Sequence, residues 1–334
     1  MSEIYPWLAD KLASLNQQTA TLPHALLIHG PRGVGKRALG EALARNLMCL
    51  NPGPAGACGQ CDSCNWLRAG THPDLRVLDL ASVAEDDEAK EKDKKPRRTI
   101  AIEQVRAALA IMTLSAHRSR RVILVDPAEA LTREATNALL KTLEEPPANA
   151  LFILISHRPG SLLATIKSRC RLIAIGAPEA HLATRWLGEQ GVSNAEPRLL
   201  RNSGAPLAAL AEYAEGKDEA REQLLRALER GAASEPVALA ERLAKVPPAD
   251  FMRWLQCWLY DLFAQRFAQI CRYNADRAER IQALAAQTDG ERLLGYMREL
   301  NDAARLTEHP LNAQLFFEQQ LIAYTRLFER NSHG

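Results

Sequence analysis

The apolar run HALLIHG, residues 24 to 30, stops at a glycine, and PRGVGK follows before a helical pattern, KRALGEALARNLMCL, resumes at once. A short apolar run ending on glycine reads as a buried strand; apolar residues at spacings of three and four after it read as an amphipathic helix. A glycine-rich turn between a strand and a helix fits few folds, because its backbone N–H groups converge at the helix N-terminus where an anion can sit. Gly30, Gly35 and Lys36 match the phosphate-loop pattern G-x-x-x-x-G-K-[ST] up to its last position, where Arg37 stands instead of a hydroxyl.

The pattern repeats in coarser form downstream. Helical spacing returns in TIAIEQVRAALAIMTLSA, a strand in RRVILVD, a helix in TREATNALLKTLEEPP and a strand in ALFILIS. Alternation of this kind predicts a parallel sheet covered by helices. Between the first helix and these elements, residues 81–98 are charged and nearly free of apolar side chains, which predicts a solvated, mobile loop. After SRCRLIAIGAPEA the strand signals end, and the rest reads as helices broken at RNSGAP, EGKD and VPPAD. In one of them Phe251, Trp254, Leu255, Trp258, Leu259, Leu262 and Phe263 recur at helical spacing, which predicts a buried face packed in a core, within the chain or against another subunit.

At 334 residues the chain has room for two or three domains. Its 42 basic and 40 acidic residues leave a formal charge of +2, too little to steer nucleic acid over a distance, so any DNA contact is local or supplied by partners. The opening MSEIYPWLADKLASLNQQ has neither a long apolar run nor a basic n-region, and the reading expects a soluble cytoplasmic protein.

Four residue groups carry chemistry. In the loop, Gly30, Gly33, Gly35 and Lys36 are able to cradle phosphates, but the hydroxyl that completes magnesium coordination is replaced by Arg37, which has no lone pair to offer a metal. Weak binding of ATP or ADP and a purely structural loop both remain open. The strand RVILVD ends in Asp126, where a second nucleotide-site carboxylate belongs, yet Pro127 follows in place of an acid that would activate water. Glu129 is a shifted candidate for that base. Cys49, Cys58, Cys61 and Cys64 lie within sixteen residues, with two-residue gaps in CGQCDSC that let thiolates converge on one ion. Four sulfurs make a closed structural zinc site; free thiols and an iron–sulfur cluster are the competing readings. His72, before Pro73, reads as a turn residue rather than a further ligand. Cys170, Cys257 and Cys271 read as buried small hydrophobes. An arginine at a subunit edge is able to neutralise charge on a phosphate held by a neighbour, but Arg169, in IKSRCR after the last strand–helix unit, carries no such meaning taken alone.

Together, YPWL, HALLIHGPRGVGK, the four-cysteine insert, AGTHPD, TNALLKTLEEPP, LLATIKSRCRL and PLNAQLFFEQQL resemble the clamp-loader branch of the AAA+ ATPases that serves bacterial DNA polymerase III. The resemblance spans nearly the whole chain. It implies an α/β RecA-like AAA+ domain with a zinc module, a small helical lid domain and an all-α C-terminal collar domain, bounded here at 1–175 (cysteines at 49–64), 176–212 and 213–334. It implies that Ser168, Arg169 and Cys170 form the family's Ser-Arg-Cys motif, with Arg169 acting in trans on ATP held by an adjacent gamma or tau subunit. Leu207, in SGAPLAAL, stands where a motor subunit has a lid arginine. Arg37, Pro127 and Leu207 thus depart from the motor pattern while Arg169 conforms.

The implied function is a non-hydrolysing clamp-loader subunit that helps load the sliding clamp onto primed DNA during replication. It would be a component of the DNA polymerase III holoenzyme, a nucleotidyltransferase, with no ATPase activity of its own. Its implied partners are the gamma/tau and delta subunits, with the sliding clamp and primer-template DNA reached through the complex. An ATP-hydrolysing motor of the gamma/tau type is the alternative, and it needs the positions that Arg37 and Pro127 have lost. A zinc-containing DNA-binding module would need basic and aromatic residues around the cysteines, and NPGPAGACGQCDSCNW contains no lysine or arginine.

Overall fold

The structure is a computed structural model that describes residues 4–53, 56–80, 99–110, 120–304 and 312–329. The chain packs as two compact units, one of Met1–Ala183 with Ala205–Leu207, the other of Thr184–Gly204 with Ala208–Gly334.

The first unit is built on five parallel strands: β1 (Ala25–His29), β2 (Leu75–Asp79), β3 (Arg121–Asp126), β4 (Ala150–Ser156) and β5 (Arg171–Ala174), in the order β2-β3-β4-β1-β5. All seven residues of β4 are buried, as are Ala25–Ile28 and Arg121–Val125, and apart from Arg121 and Ser156 at strand ends these central residues are all apolar. That is the signature of a sheet covered on both faces. The described helices of this unit are α1 (Ala9–Gln17), α2 (Lys36–Met48), α3 (Asp62–Ala69), α4 (Ile102–Ala110), α5 (Arg133–Glu144) and α6 (Ala164–Lys167), followed by α7 (Ala180–Glu189), which runs past the boundary of the unit. Helix α5 starts at Thr132, whose Oγ1 accepts the Ala135 N–H at 3.2 Å, and its buried Ala135, Leu139 and Leu143 lie on one stripe against the sheet.

Two elements of this unit escape the sequence patterns: β2, an edge strand with charged residues at both faces, and α3, which begins inside the cysteine run. The helix expected over TIAIEQVRAALAIMTLSA is described from Ile102 to Ala110, and residues 111–119 lie outside the described residues. The loop expected at 81–98 also lies outside them.

From α8 (Ala195–Arg201) onward the described elements are all helical: α9 (Pro206–Ala214), α10 (Asp218–Leu228), α11 (Pro236–Leu243), α12 (Pro248–Ala268), α13 (Ala278–Gln287), α14 (Gly290–Ala304) and α15 (Ala313–Thr325). Helix α12 is the axis of the second unit. Its Phe251, Trp254, Leu255, Trp258, Leu259 and Leu262 are buried, Phe263 is half-buried, and burial extends to Met252, Cys257 and Asp261, beyond the single face that the spacing predicts. The polar ends of this core are satisfied in series: Trp258 Nε1 donates to Tyr324 Oη at 3.0 Å, and Tyr324 Oη donates to the Leu228 carbonyl at 2.7 Å. Buried Asp261 accepts the backbone N–H groups of Arg272, Tyr273 and Asn274, fixing the chain as it leaves α12. Burial pushes the thiols of Cys170 and Cys257 up to about 11 and that of Cys271 up to about 12, which keeps all three protonated and unreactive near neutral pH. Cys170 and Cys257 are buried; Cys271 is half-buried, its thiol facing the Asn274 carbonyl at 3.2 Å.

Candidate functional site

Parallel strands deliver their C-terminal ends to one edge, where open α/β sheets gather their polar groups. Here that edge collects the loop after β1, Asp79 at the end of β2, Asp126 at the end of β3 and His157 after β4, with Asp79 and Asp126 directly in register. Three loop glycines have the positive φ that the turn requires: Gly30, Gly33 and Gly35 at 150°, 83° and 90°. A side chain at Gly30 would also place its Cβ 1.9 Å from the Ile175 carbonyl oxygen. The loop is held from outside as well: Trp7 Nε1 donates to the Val34 carbonyl at 3.0 Å and the Leu207 N–H to the Gly33 carbonyl at 3.0 Å. Leu207 therefore meets the loop through its backbone.

Lys36 is 2% exposed and turns back into its own loop, donating from Nζ to the carbonyls of Gly30 at 2.8 Å and Pro31 at 2.5 Å. Burial pulls its ammonium down to about 8, with Asp126 and Glu129 opposing the shift. Arg37, the residue that breaks the motif, reaches across the strand ends. Its Nη1 lies 2.7 Å from Asp79 Oδ2 and 3.7 Å from Asp126 Oδ2, and its Nε donates to Glu41 Oε1 at 2.8 Å. Burial raises the pKa of Asp126 above the ordinary carboxylate range, while Arg37 and Lys36 pull against it. The chain thus supplies its own cation to the two carboxylates at this edge.

Glu129 Oε1 accepts the His157 N–H at 2.9 Å, which ties this acid to the end of β4. His157 Nε2 lies 3.9 Å from Asp126 Oδ1, and burial followed by the Lys36 charge pulls the imidazole down to about 4. Asp126 Oδ1, Glu129 Oε2 and His157 Nδ1 are buried and make no hydrogen bond among the described residues. Neither Asp79 nor His157 belongs to a motif legible in the sequence. A hint was present in the sequence, since LRVLD and RVILVD each close on apolar residues followed by aspartate.

The four sulfurs of Cys49, Cys58, Cys61 and Cys64 lie within 4.8 Å of one another, and no other cluster of this kind exists among the described residues. Cys49 Sγ is 3.9 Å from Cys61 Sγ, and Cys58 Sγ is 4.0 Å from Cys64 Sγ. A tetrahedron of sulfurs about 2.3 Å from a central zinc has edges of about 3.8 Å, so the donors fit such an ion. The Cys61 thiol is pulled down to about 6: burial opposes this, but the backbone around Cys64 and Leu50 and the neighbouring thiols favour its thiolate. The scaffold beneath is polar and ordered. Asn46 Oδ1 accepts the Ala57 N–H at 2.8 Å, and Ser63 Oγ donates to the Met48 carbonyl at 2.7 Å. His72 is buried, with Nδ1 accepting the Asp74 N–H at 3.1 Å and Nε2 3.0 Å from Ser63 Oγ. That pattern assigns its proton to Nε2 and makes His72 a brace behind the cysteines.

Arg169 lies on the far side of the sheet order, just before the edge strand β5. Its neighbours in sequence orient it. Cys170 is buried in the core, Ser168 Oγ donates to the Thr165 carbonyl at 3.1 Å, and Arg169 is left partly exposed between them. Its guanidinium contacts Glu144 Oε1 at 2.6 Å and the Thr165 carbonyl at 3.0 Å.

Comparison with known proteins gives a consistent result. The family described as "DNA polymerase III, delta subunit" matches residues 8–179, and "DNA polymerase III, delta subunit, C terminal" matches residues 215–326. A relative from Pseudomonas aeruginosa, "DNA polymerase III subunit delta'", is 35% identical over 312 residues, covering 92% of this chain and 88% of that protein. The protein of the same description from Escherichia coli is 34% identical over 297 residues, covering 86% of this chain and 85% of its own length. "DNA polymerase III subunit tau" of Salmonella typhimurium is 35% identical over 183 residues, 53% of this chain but 26% of that protein.

Proposed function

The chain belongs to the delta-prime family of DNA polymerase III clamp-loader subunits, and we propose that it serves there without hydrolysing ATP, stimulating hydrolysis on a neighbouring subunit through Arg169. The observation that carries this reading is the position of Arg37. A motor needs a divalent cation between its carboxylates and the phosphates of ATP. Here Asp79 and Asp126 face a guanidinium, and Pro127 has no group to polarise water. Arg169, by contrast, is partly exposed at the end of a helix, and its one acid, Glu144, is half exposed rather than largely buried at the strand ends.

In this reading the partners are the gamma/tau subunits, one of which receives Arg169, and the delta subunit, with the sliding clamp and primer-template DNA handled by the assembled loader. Residues 1–175 form the AAA+ domain, 176–212 its lid and 213–334 the collar through which subunits join. Gly30, Gly33, Gly35 and Lys36 are a vestigial phosphate loop whose main role is structural. Cys49, Cys58, Cys61 and Cys64 hold one structural zinc ion, which supplies no chemistry but fixes the insert between α2 and α3. The reading carries a cytoplasmic location; no helix among the described residues is long and apolar enough to cross a membrane.

Two measurements test this. The isolated chain is expected to release phosphate from ATP at the background rate, with and without Lys36→Ala; a steady rate abolished by that substitution would establish a motor. Elemental analysis of protein purified without added metal is expected to give about one zinc per chain, lost in Cys61→Ser, and a stoichiometry near zero would remove the metal assignment.

A further inference from the structure

Helix α5 ends on two acids, Glu144 and Glu145, immediately before Pro146 and Pro147. Acids at a helix C-terminus lie at the negative end of the helix dipole and are disfavoured there unless a cation attends them. The attending cation is Arg169. Its Nη2 lies 2.6 Å from Glu144 Oε1, while Nη1 donates to the Thr165 carbonyl at 3.0 Å, in the last turn of the short helix α6. Both side chains are partly exposed, at 33% for Arg169 and 50% for Glu144. The pair can therefore open without disturbing the core, whereas Cys170 and the Ser168–Thr165 hydrogen bond keep the backbone of the corner in place.

We propose that Glu144 is a resting partner for Arg169, a positioning residue that holds the guanidinium on its own subunit until a neighbour's ATP phosphates compete it away. The proposal rests on the reading of Arg169 as a finger in trans and adds a control on it. In the free chain one carboxylate oxygen neutralises the guanidinium and limits the directions it samples. A triphosphate presented by an adjacent subunit offers more charge and several oxygens in the same planar geometry, so the fork transfers to it and Glu144 is released to solvent. Because the pair is intact before the phosphate arrives and broken in the transition state, its strength is subtracted from kcat/KM whichever intermediate step it precedes. An exposed ion pair of this type supports a change of about two- to fivefold.

The test is a double-mutant cycle in the reconstituted loader with clamp and primed DNA, using wild type, Glu144→Gln, Arg169→Ala and the double variant, each checked for equal assembly. Glutamine keeps the size and one acceptor of the glutamate but not its charge. Glu144→Gln is expected to raise kcat/KM for ATP by about two- to fivefold, and the gain is expected to shrink as salt is raised, because salt screens an exposed pair in the wild type. In the Arg169→Ala background the same substitution is expected to change nothing, since Glu144 acts only through that arginine. If Arg169→Ala slows turnover but Glu144→Gln leaves kcat/KM unchanged or lowers it, the resting-partner proposal is overturned and the finger stands. An equal Glu144→Gln effect with and without Arg169 would likewise overturn it. If Arg169→Ala leaves turnover unchanged, the finger itself is overturned, and the control on it falls with it.

Discussion

Two arginines of the same α/β unit, Arg37 and Arg169, interrupt or complete a motif, and their surroundings differ in kind. Arg37 spans three carboxylates, Glu41, Asp79 and Asp126, two of which end neighbouring strands of the sheet. Arg169 has one partly exposed carboxylate and one helix carbonyl, both on the rim of the fold. Arg37 is itself the more exposed of the two arginines, at 45% against 33%, but a cation that answers two largely buried acids is part of the fold, because removing it leaves buried charge uncompensated. A cation whose one acid is exposed costs little to redirect and is therefore available to something outside the chain. The same contrast separates Lys36, turned into its own loop, from the donors that an active phosphate loop presents to a ligand.

The largest expected effect lies at the rim. Arg169→Ala should leave the melting of the isolated chain nearly unchanged and reduce DNA-dependent ATP turnover of the assembled loader, by up to about 10³–10⁵ at the one site it serves and by that site's share overall. Arg169→Lys should recover only part of the loss, since an ammonium lacks the two-pronged fork. Turnover measured on complexes matched by gel filtration decides the matter. Equal rates for wild type and Arg169→Ala would erase the distinction between the two arginines.

Arg37→Thr sharpens the contrast from the other side. It restores the hydroxyl of the motif and removes the guanidinium from Asp79 and Asp126. Breaking a buried pair costs about 3–5 kcal/mol, and because Arg37 is itself 45% exposed we expect about 2 kcal/mol, or about 4–8 °C in melting temperature. Millimolar magnesium should recover part of this loss in the variant and do nothing for the wild type, because only the variant leaves the carboxylates open to a cation. ATP turnover should stay at background, since Pro127 still offers no carboxylate. A variant as stable as the wild type in the absence of magnesium would mean that Arg37 does not act as a counter-ion to Asp79 and Asp126.

What the sequence makes legible follows from how local each signal is. The loop, β3, β4, the cysteine cluster and the buried Trp254–Trp258 helix are carried by contiguous patterns, and each stands where its pattern predicts. The partners of Arg37 are not local. Asp79 closes an edge strand whose Arg76 and Asp79 disguise its apolar alternation, and it meets Asp126 only through the register of β2 on β3. His157 has no motif of its own and is brought to the loop by the order of the strands. Glu144 reads in sequence as the tail of an amphipathic helix, and only the turn before β5 brings Arg169 onto it. Residue types announce chemistry, but whether a charge is already answered depends on strand order, which the chain encodes globally.

The smallest expected effect tests whether the loop edge is as enclosed as this contrast requires. His157 lies 3.9 Å from Asp126, and burial with the Lys36 charge pulls its imidazole from about 6.5 down to about 4. A histidine depressed in the folded state is neutral there while the unfolded chain takes up a proton, so stability falls as pH drops from about 6.5 towards 4 and levels off below. A shift of one unit corresponds to about 1.4 kcal/mol; with the side chain 26% exposed, solvent screening reduces the total to about 1–2 kcal/mol. His157→Gln carries no proton to gain, and it should flatten this part of the profile while leaving stability at pH 8 nearly as it was. Asp126, raised by the same burial, titrates in the opposite sense, binding its proton more readily in the folded chain, so the difference between wild type and variant isolates the histidine better than either curve alone. Denaturant unfolding at intervals from pH 8 to 4.5 gives that difference. Curves that run parallel throughout would show an imidazole in contact with water, and the burial of the acids that sets Arg37 apart from Arg169 would then end short of β4.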